Sequence, residues 1–272
     1  MTFGAAATTA FTVGTQGRQA PYRVLMAGER ANVVFADPLH NIPIAGPVLR
    51  HGDVRASSAS DAISEEFIEC LQGPFAHFAG NVVDGAVIYL SMGWDRLEES
   101  LAAARPYFGK PKDMVVWVTA KRGQSALYRC QHHHIAVYRA GNPPPTSKIR
   151  NGERGRTNVW SYPGYKLFCQ GWDTVVSVDR RVKPVALVAD ALRDSSWRGQ
   201  IVLDPFAGIG TTMIAAERTR QRARLIEIDP TYCDLIVRRW QKCSGQNAHL
   251  AGSNESFAEV QARRHRADAS QE

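Results

Sequence analysis

Residues 200–230, QIVLDPFAGIGTTMIAAERTRQRARLIEIDP, restrict the fold more than any other part of the chain. A short apolar run closes on Asp204, a turn carries Gly208 and Gly210, a helical pattern opens at Thr211, and a second apolar run closes on Glu227. Strand, glycine turn, helix and strand in this order form a βαβ unit, which belongs in a parallel sheet. Glycines in such a turn let the backbone approach a ligand, and an acid about 20 residues further on is placed to accept hydrogen bonds from ribose hydroxyls. A nucleoside-containing cofactor is implied. Met213 stands where a third glycine of a dinucleotide fingerprint would fall, which argues against a pyrophosphate seat and so against a nicotinamide dehydrogenase.

The rest of the chain repeats the alternation. Strand-like runs occur at 33–36, 86–91, 114–119, 134–138, 200–204 and 223–228, with helical patterns at 64–78, 183–193, 211–219 and 232–242. The expected fold is α/β, a doubly wound and mainly parallel sheet. Residues 1–20, rich in Ala, Thr and Gly, are expected as a disordered leader, 21–245 as the folded domain and 246–272 as a flexible polar tail. From about 120 to 178 the alternation fails, and an inserted region is expected there. Between Lys121 and Lys166 it carries nine Lys or Arg residues against one acid, Glu153, a one-sided charge suited to a polyanion. No apolar run reaches the roughly 20 residues of a bilayer span. The five cysteines are scattered and read as reduced thiols, so a cytoplasmic protein is expected. Adjacent His132, His133 and His134 would alternate between strand faces and are not read as a metal site; no metal is expected.

The motifs carry a resemblance. DPFAGIGTT, followed by AAER and IEIDPTY, resembles the S-adenosylmethionine loop of the bacterial amino-methylating (N6-adenine and N4-cytosine) DNA methyltransferases. VKPVALVADALRD upstream is similar to the Lys-Pro segment that precedes this loop in their β-type arrangement, and RTNVWSYPG also resembles a family segment. The match runs from about Gly28 to Gly245. In the β-type order the catalytic motif comes first, and VVFADPLHNIPIAG, residues 33–46, lies where Asp-Pro-Pro-Tyr belongs. Asp37 and Pro38 match; Leu39 replaces the second proline and His40 the tyrosine. Asp179-Arg180-Arg181 stand in place of His-Pro-Thr, Gly93 in place of an acid before Trp94, and Ile209 in place of a serine.

The resemblance implies a Rossmann-like S-adenosylmethionine-dependent methyltransferase with an inserted basic recognition region. It implies Asp37, Pro38, Leu39 and His40 as the catalytic motif, acting on an exocyclic amine of double-stranded DNA, adenine N6 before cytosine N4. Lys183, Asp204, Phe206, Gly208, Gly210, Thr211 and Glu227 would hold the S-adenosyl-L-methionine. Phosphate contacts are expected from Arg122, Arg129, Lys148, Arg150, Arg154 and Arg156. A homodimer is left open. An alternative keeps the fold as a DNA-binding module without turnover, and a further one changes the substrate to RNA or a protein side chain.

Overall fold

The computed structural model describes residues 2–5, 9–13, 17–38, 65–119, 127–141, 156–163, 182–253 and 255–269. In chain order the elements are β1 (Thr2–Ala5), β2 (Thr9–Val13), α1 (Gln19–Met26), β3 (Ala31–Ala36), α2 (Glu65–Ala79) and β4 (Val82–Met92). A 3₁₀ turn (Trp94–Arg96) leads into α3 (Leu97–Phe108), followed by β5 (Asp113–Val118), β6 (His132–Arg139) and β7 (Val159–Ser161). The last third holds α4 (Val185–Ser195), β8 (Ile201–Asp204), α5 (Thr211–Thr219), β9 (Arg222–Glu227), α6 (Pro230–Ser244), β10 (His249–Leu250) and α7 (Phe257–Ala269).

All ten of these strands join one sheet in the order β10-β1-β2-β9-β8-β3-β4-β6-β5-β7. The centre, β2-β9-β8-β3-β4, is parallel throughout. From the β8/β3 pair the chain crosses outward in opposite directions, β3 through α2 to β4 and β8 through α5 to β9. Right-handed crossovers in opposite directions put the two helices on opposite faces, and the core divides accordingly. On one face Val33, Phe35, Val202 and Leu225 pack with α4, α5 and α6; on the other Val34, Ala36, Leu203 and Ile226 pack with α1, α2 and α3. Both faces of the central strands are covered, which explains their unbroken apolar runs. The strand order reverses between β8 and β3, and folds of this kind bind their ligands in the crevice outside the carboxyl ends of the strands at such a point.

Three expectations are corrected. Part of the expected leader is built into the sheet: β2 runs parallel to β9, pairing Ala10 with Arg224, and β1 pairs with β2 and β10. With only five residues, TAFTV, the strand is too short to stand out from its Ala-, Thr- and Gly-rich surroundings, and its backbone ladder along β9 shows its place. The expected flexible tail holds β10 and α7, the latter fixed by Phe257 and Val260, both buried against α6 and β10 residues of the core. The insertion cannot span 120–178 without interruption. Within it β6 is an antiparallel partner of both β4 and β5, and β7 pairs with β5. Residues 120–126, 142–155 and 164–178 of that region lie outside the described residues. Among the described residues no helix is long and apolar enough to cross a membrane.

Removing residues 1–13 uncovers the outer backbone edge of β9, a template for unwanted strand pairing. The truncated protein is expected to unfold at a lower temperature and to associate further in sedimentation velocity than the full chain. An unchanged melting temperature would show that β1 and β2 add nothing to the sheet.

Candidate functional site

Three neighbouring strands each deliver one carboxylate to the crevice. Glu227 ends β9, Asp204 ends β8, and Asp37 follows the last residue of β3. With strands about 4.8 Å apart, the three acids share a short arc of one sheet edge. Asp204, 4% exposed, accepts from the Phe206 N–H at 2.9 Å and from the Thr212 hydroxyl at 2.6 Å. Burial pushes its carboxyl up to about 7; the two hydrogen bonds pull the other way, and the charges of Asp37 and Glu227 push up further. Glu227 accepts from the N–H groups of Gly208 (2.7 Å), Ile228 (2.9 Å) and Asp229 (3.0 Å). Burial still raises it above the usual carboxylate range, against these three bonds.

The two acids fix the loop between them. Gly208 and Gly210 both have positive φ, +51° and +76°, a region costly for side-chain-bearing residues. A Cβ on Gly210 would come within 2.9 Å of Ile236 Cγ1, so α6 packs directly on the bare backbone. A Cβ on Gly208 would meet nothing within 4 Å. One glycine is therefore required for packing, and the other borders open space where a ligand can approach. The Arg239 guanidinium, buried on α6, donates to the Ile209 carbonyl and clamps the loop from behind. This clamp is not legible in the sequence, since Arg239 lies on a helix 30 residues away. Nor is the role of Thr212: Thr211 was expected at the site, but its neighbour bonds Asp204, and a Thr-Thr pair alone does not say which faces the acid.

Lys183, expected on the cofactor, donates from Nζ to Asp37 Oδ1 at 2.5 Å. Its side chain is 4% exposed and that of Asp37 29%. The ammonium also lies 5.9 Å from the centre of the Trp117 ring on β5. The ladder that pairs Ala36 with Leu90 brings Ser91 next to Asp37; Ser91 is fully buried and its hydroxyl has no hydrogen-bond partner among the described residues. Pro38 is buried, while Leu39 and His40 lie outside the described residues. Phe206 and Thr211 flank the glycine loop, Phe206 against the α1/α2 side of the core and Thr211 buried at the start of α5.

Of the expected basic residues, Arg129 is exposed at the entry to β6, beside Leu127 and Tyr128, which are 90% and 85% exposed. Arg156 is engaged within the fold: it bonds Asp194 at 2.5 Å and the Tyr162 hydroxyl at 2.9 Å, and it covers the Trp160 ring at 4.4 Å. Tyr162 in turn donates to Asp190 at 2.6 Å, fastening β7 to α4. Arg122, Lys148, Arg150 and Arg154 lie outside the described residues. The histidines divide between faces: His132 and His134 meet edge to face, whereas His133 stacks on Trp117.

A family model described as DNA methylase matches residues 31–238. The chain is 32% identical over 111 residues to DNA adenine methyltransferase YhdJ of Escherichia coli (strain K12), a match covering 41% of this chain and 35% of that protein. It is 26% identical over 95 residues to the type II methyltransferase M2.MboI of Moraxella bovis, covering 35% and 33%. The matched part thus spans about a third of the length of these curated relatives. TTHA0409 of Thermus thermophilus, a putative DNA modification methylase in complex with S-adenosyl-L-methionine, superposes with a TM-score of 0.58 at 20% identity over 86% of this chain and 93% of that one. PvuII DNA methyltransferase (cytosine-N4-specific) gives 0.64 at 12% identity over 88% and 91%. The fold is the Rossmann-like one of S-adenosylmethionine-dependent methyltransferases.

Because Asp204 holds its proton in the folded protein to a higher pH than its ordinary 3.8, folding is favoured when it is protonated. Its contribution to stability therefore falls as pH rises from about 4 through about 7. Asp204→Asn is expected to remove that part of the slope, so that denaturant midpoints of variant and wild type diverge in favour of the variant as pH rises from about 4 to about 7. A difference independent of pH would contradict the raised carboxyl.

Proposed function

This chain belongs to the DNA methylase family whose model it matches over residues 31–238, and from that premise we propose that it methylates an exocyclic amino group in double-stranded DNA, N6 of adenine, using S-adenosyl-L-methionine. The observation that carries the reading is the row of three carboxylates on neighbouring strands beside a glycine loop with open space over Gly208. Buried acids whose ionised forms are disfavoured are stabilised by an approaching positive charge. A crevice lined by them suits a ligand that carries positive charge at one end and ribose hydroxyls at the other.

When bound, the cofactor supplies an electrophilic methyl group on a cationic sulfur. Glu227 would hold the ribose hydroxyls and Asp204 the positively charged end, with Phe206, Gly208, Gly210 and Thr211 shaping the wall and Lys183 beside it. Asp37 accepts an N–H of the target amine and the Leu39 carbonyl the other, directing the nitrogen lone pair toward the methyl group. His40 stacks on the base, which must leave the helix to reach this depth. Arg129, with Arg122, Lys148, Arg150 and Arg154, supplies phosphate contacts. Arg156 supports them from within the fold, through its pairing with Asp194.

A second reading, a DNA-binding module that does not turn over, is favoured by Leu39 and His40 in place of Pro and Tyr. Methyl transfer from labelled cofactor to unmethylated DNA, with the product nucleoside identified by mass spectrometry, decides between them. Wild type is expected to form N6-methyladenine, and Asp37→Ala to be slower by about 10²–10³-fold, the loss typical of removing one preorganised polar contact. Label only in a Leu39→Pro/His40→Tyr variant would establish the second reading. Label in none of the three would remove DNA as substrate.

A further inference from the structure

Lys183 stands at a junction. On one side Val182 packs with Ile209 of the glycine loop and with Tyr232 around Leu235. On the other the Lys183 ammonium holds Asp37 at 2.5 Å. A buried ammonium needs a counter-anion, since an unpaired charge in this environment is strongly destabilising. The anion it holds is the same carboxylate that the target amine must engage. Lys183 covers Oδ1 of Asp37, so this oxygen becomes available to the amine when a second anion draws the ammonium away. Beside this contact, the buried Ser91 hydroxyl has no partner among the described residues, so hydrogen-bonding capacity is left unfilled where the exchange would occur.

We infer that Lys183 is a positioning residue that couples the two half-sites: it rests on Asp37 until a carboxylate arrives on the loop side, which draws it away and frees Asp37 for the amine. The inference rests on the proposed cofactor, whose amino-acid carboxylate is the competing anion. The exchange is nearly balanced for the lysine, which trades one carboxylate for another and stays buried. Asp37 gains the use of Oδ1 once the cofactor is in place. Cofactor binding thereby prepares Asp37 for the base, without any large movement of the backbone. The coupling is reciprocal, so weakening the hold of Asp37 on Lys183 must strengthen the hold of the cofactor.

Calorimetry on the full chain tests this without methyl transfer. The probes are S-adenosyl-L-homocysteine, which keeps the carboxylate, and 5′-methylthioadenosine, which lacks the amino-acid end. Asp37→Asn is expected to tighten S-adenosyl-L-homocysteine by at least about fivefold, the lower end of ordinary site-to-site coupling, and to leave 5′-methylthioadenosine unchanged. Lys183→Gln is expected to weaken S-adenosyl-L-homocysteine and to abolish the effect of Asp37→Asn in the double variant. Should Asp37→Asn not fold, Asp37→Ser removes the same anion and is read in the same way. Unchanged or weaker binding of S-adenosyl-L-homocysteine by an Asp37 variant overturns the coupling alone. A wild type that binds neither thioether overturns the cofactor reading, and the coupling with it.

Discussion

Two buried carboxylates hold the glycine loop in the shape that makes the crevice. Asp204 ties the loop's entry at Phe206 and the first turn of α5 at Thr212, and Glu227 ties its middle at Gly208. Burying an acid is costly unless its oxygens are matched, and each of these oxygens that takes a bond takes it from the loop, the helix start or the residues just beyond β9. The same bonds that stabilise the acids therefore set the loop backbone. The bonds do not cancel the burial, since both carboxyls remain raised. What is left is an uncompensated cost of ionising these acids at the reversal point of the sheet, which a ligand with positive charge can relieve.

This half of the site was legible because it is local. Strand, turn, helix and strand follow one another within residues 200–230, and each has its own period or turn chemistry. The partner of Asp37 was not legible in the same way. Lys183 lies 146 residues away, and its sequence neighbourhood points to the cofactor loop, with which Val182 does pack. Only the topology shows that the approach to α4 crosses the end of β3. The sheet margins were missed for another reason. β1, β2 and β10 are only four, five and two residues long, too short for an alternating pattern to register, and ladder bonds to β9 and to one another set their place.

The basic region separates into different kinds of positive charge. Arg156 belongs to the fold: with Asp194, Tyr162 and Asp190 it fastens the short β7 to α4, the helix that begins just after Lys183. Arg129 stands in solvent at the carboxyl edge, beside an exposed Leu127 and Tyr128. A composition argument counts both alike. Geometry makes one a brace for the site and leaves the other on its rim, where a polyanion could reach it.

The most direct measurement of the central claim, that the raised acids of the crevice receive a positively charged cofactor, is the proton balance of binding. A cation beside Asp204 favours its ionised form, and near pH 7 this carboxyl is still partly protonated. Titrating the protein with S-adenosyl-L-methionine near neutral pH, in buffers of different ionisation enthalpy, should give a net release of protons that is lost in Asp204→Asn. Binding with no buffer dependence, or with proton uptake, would contradict it.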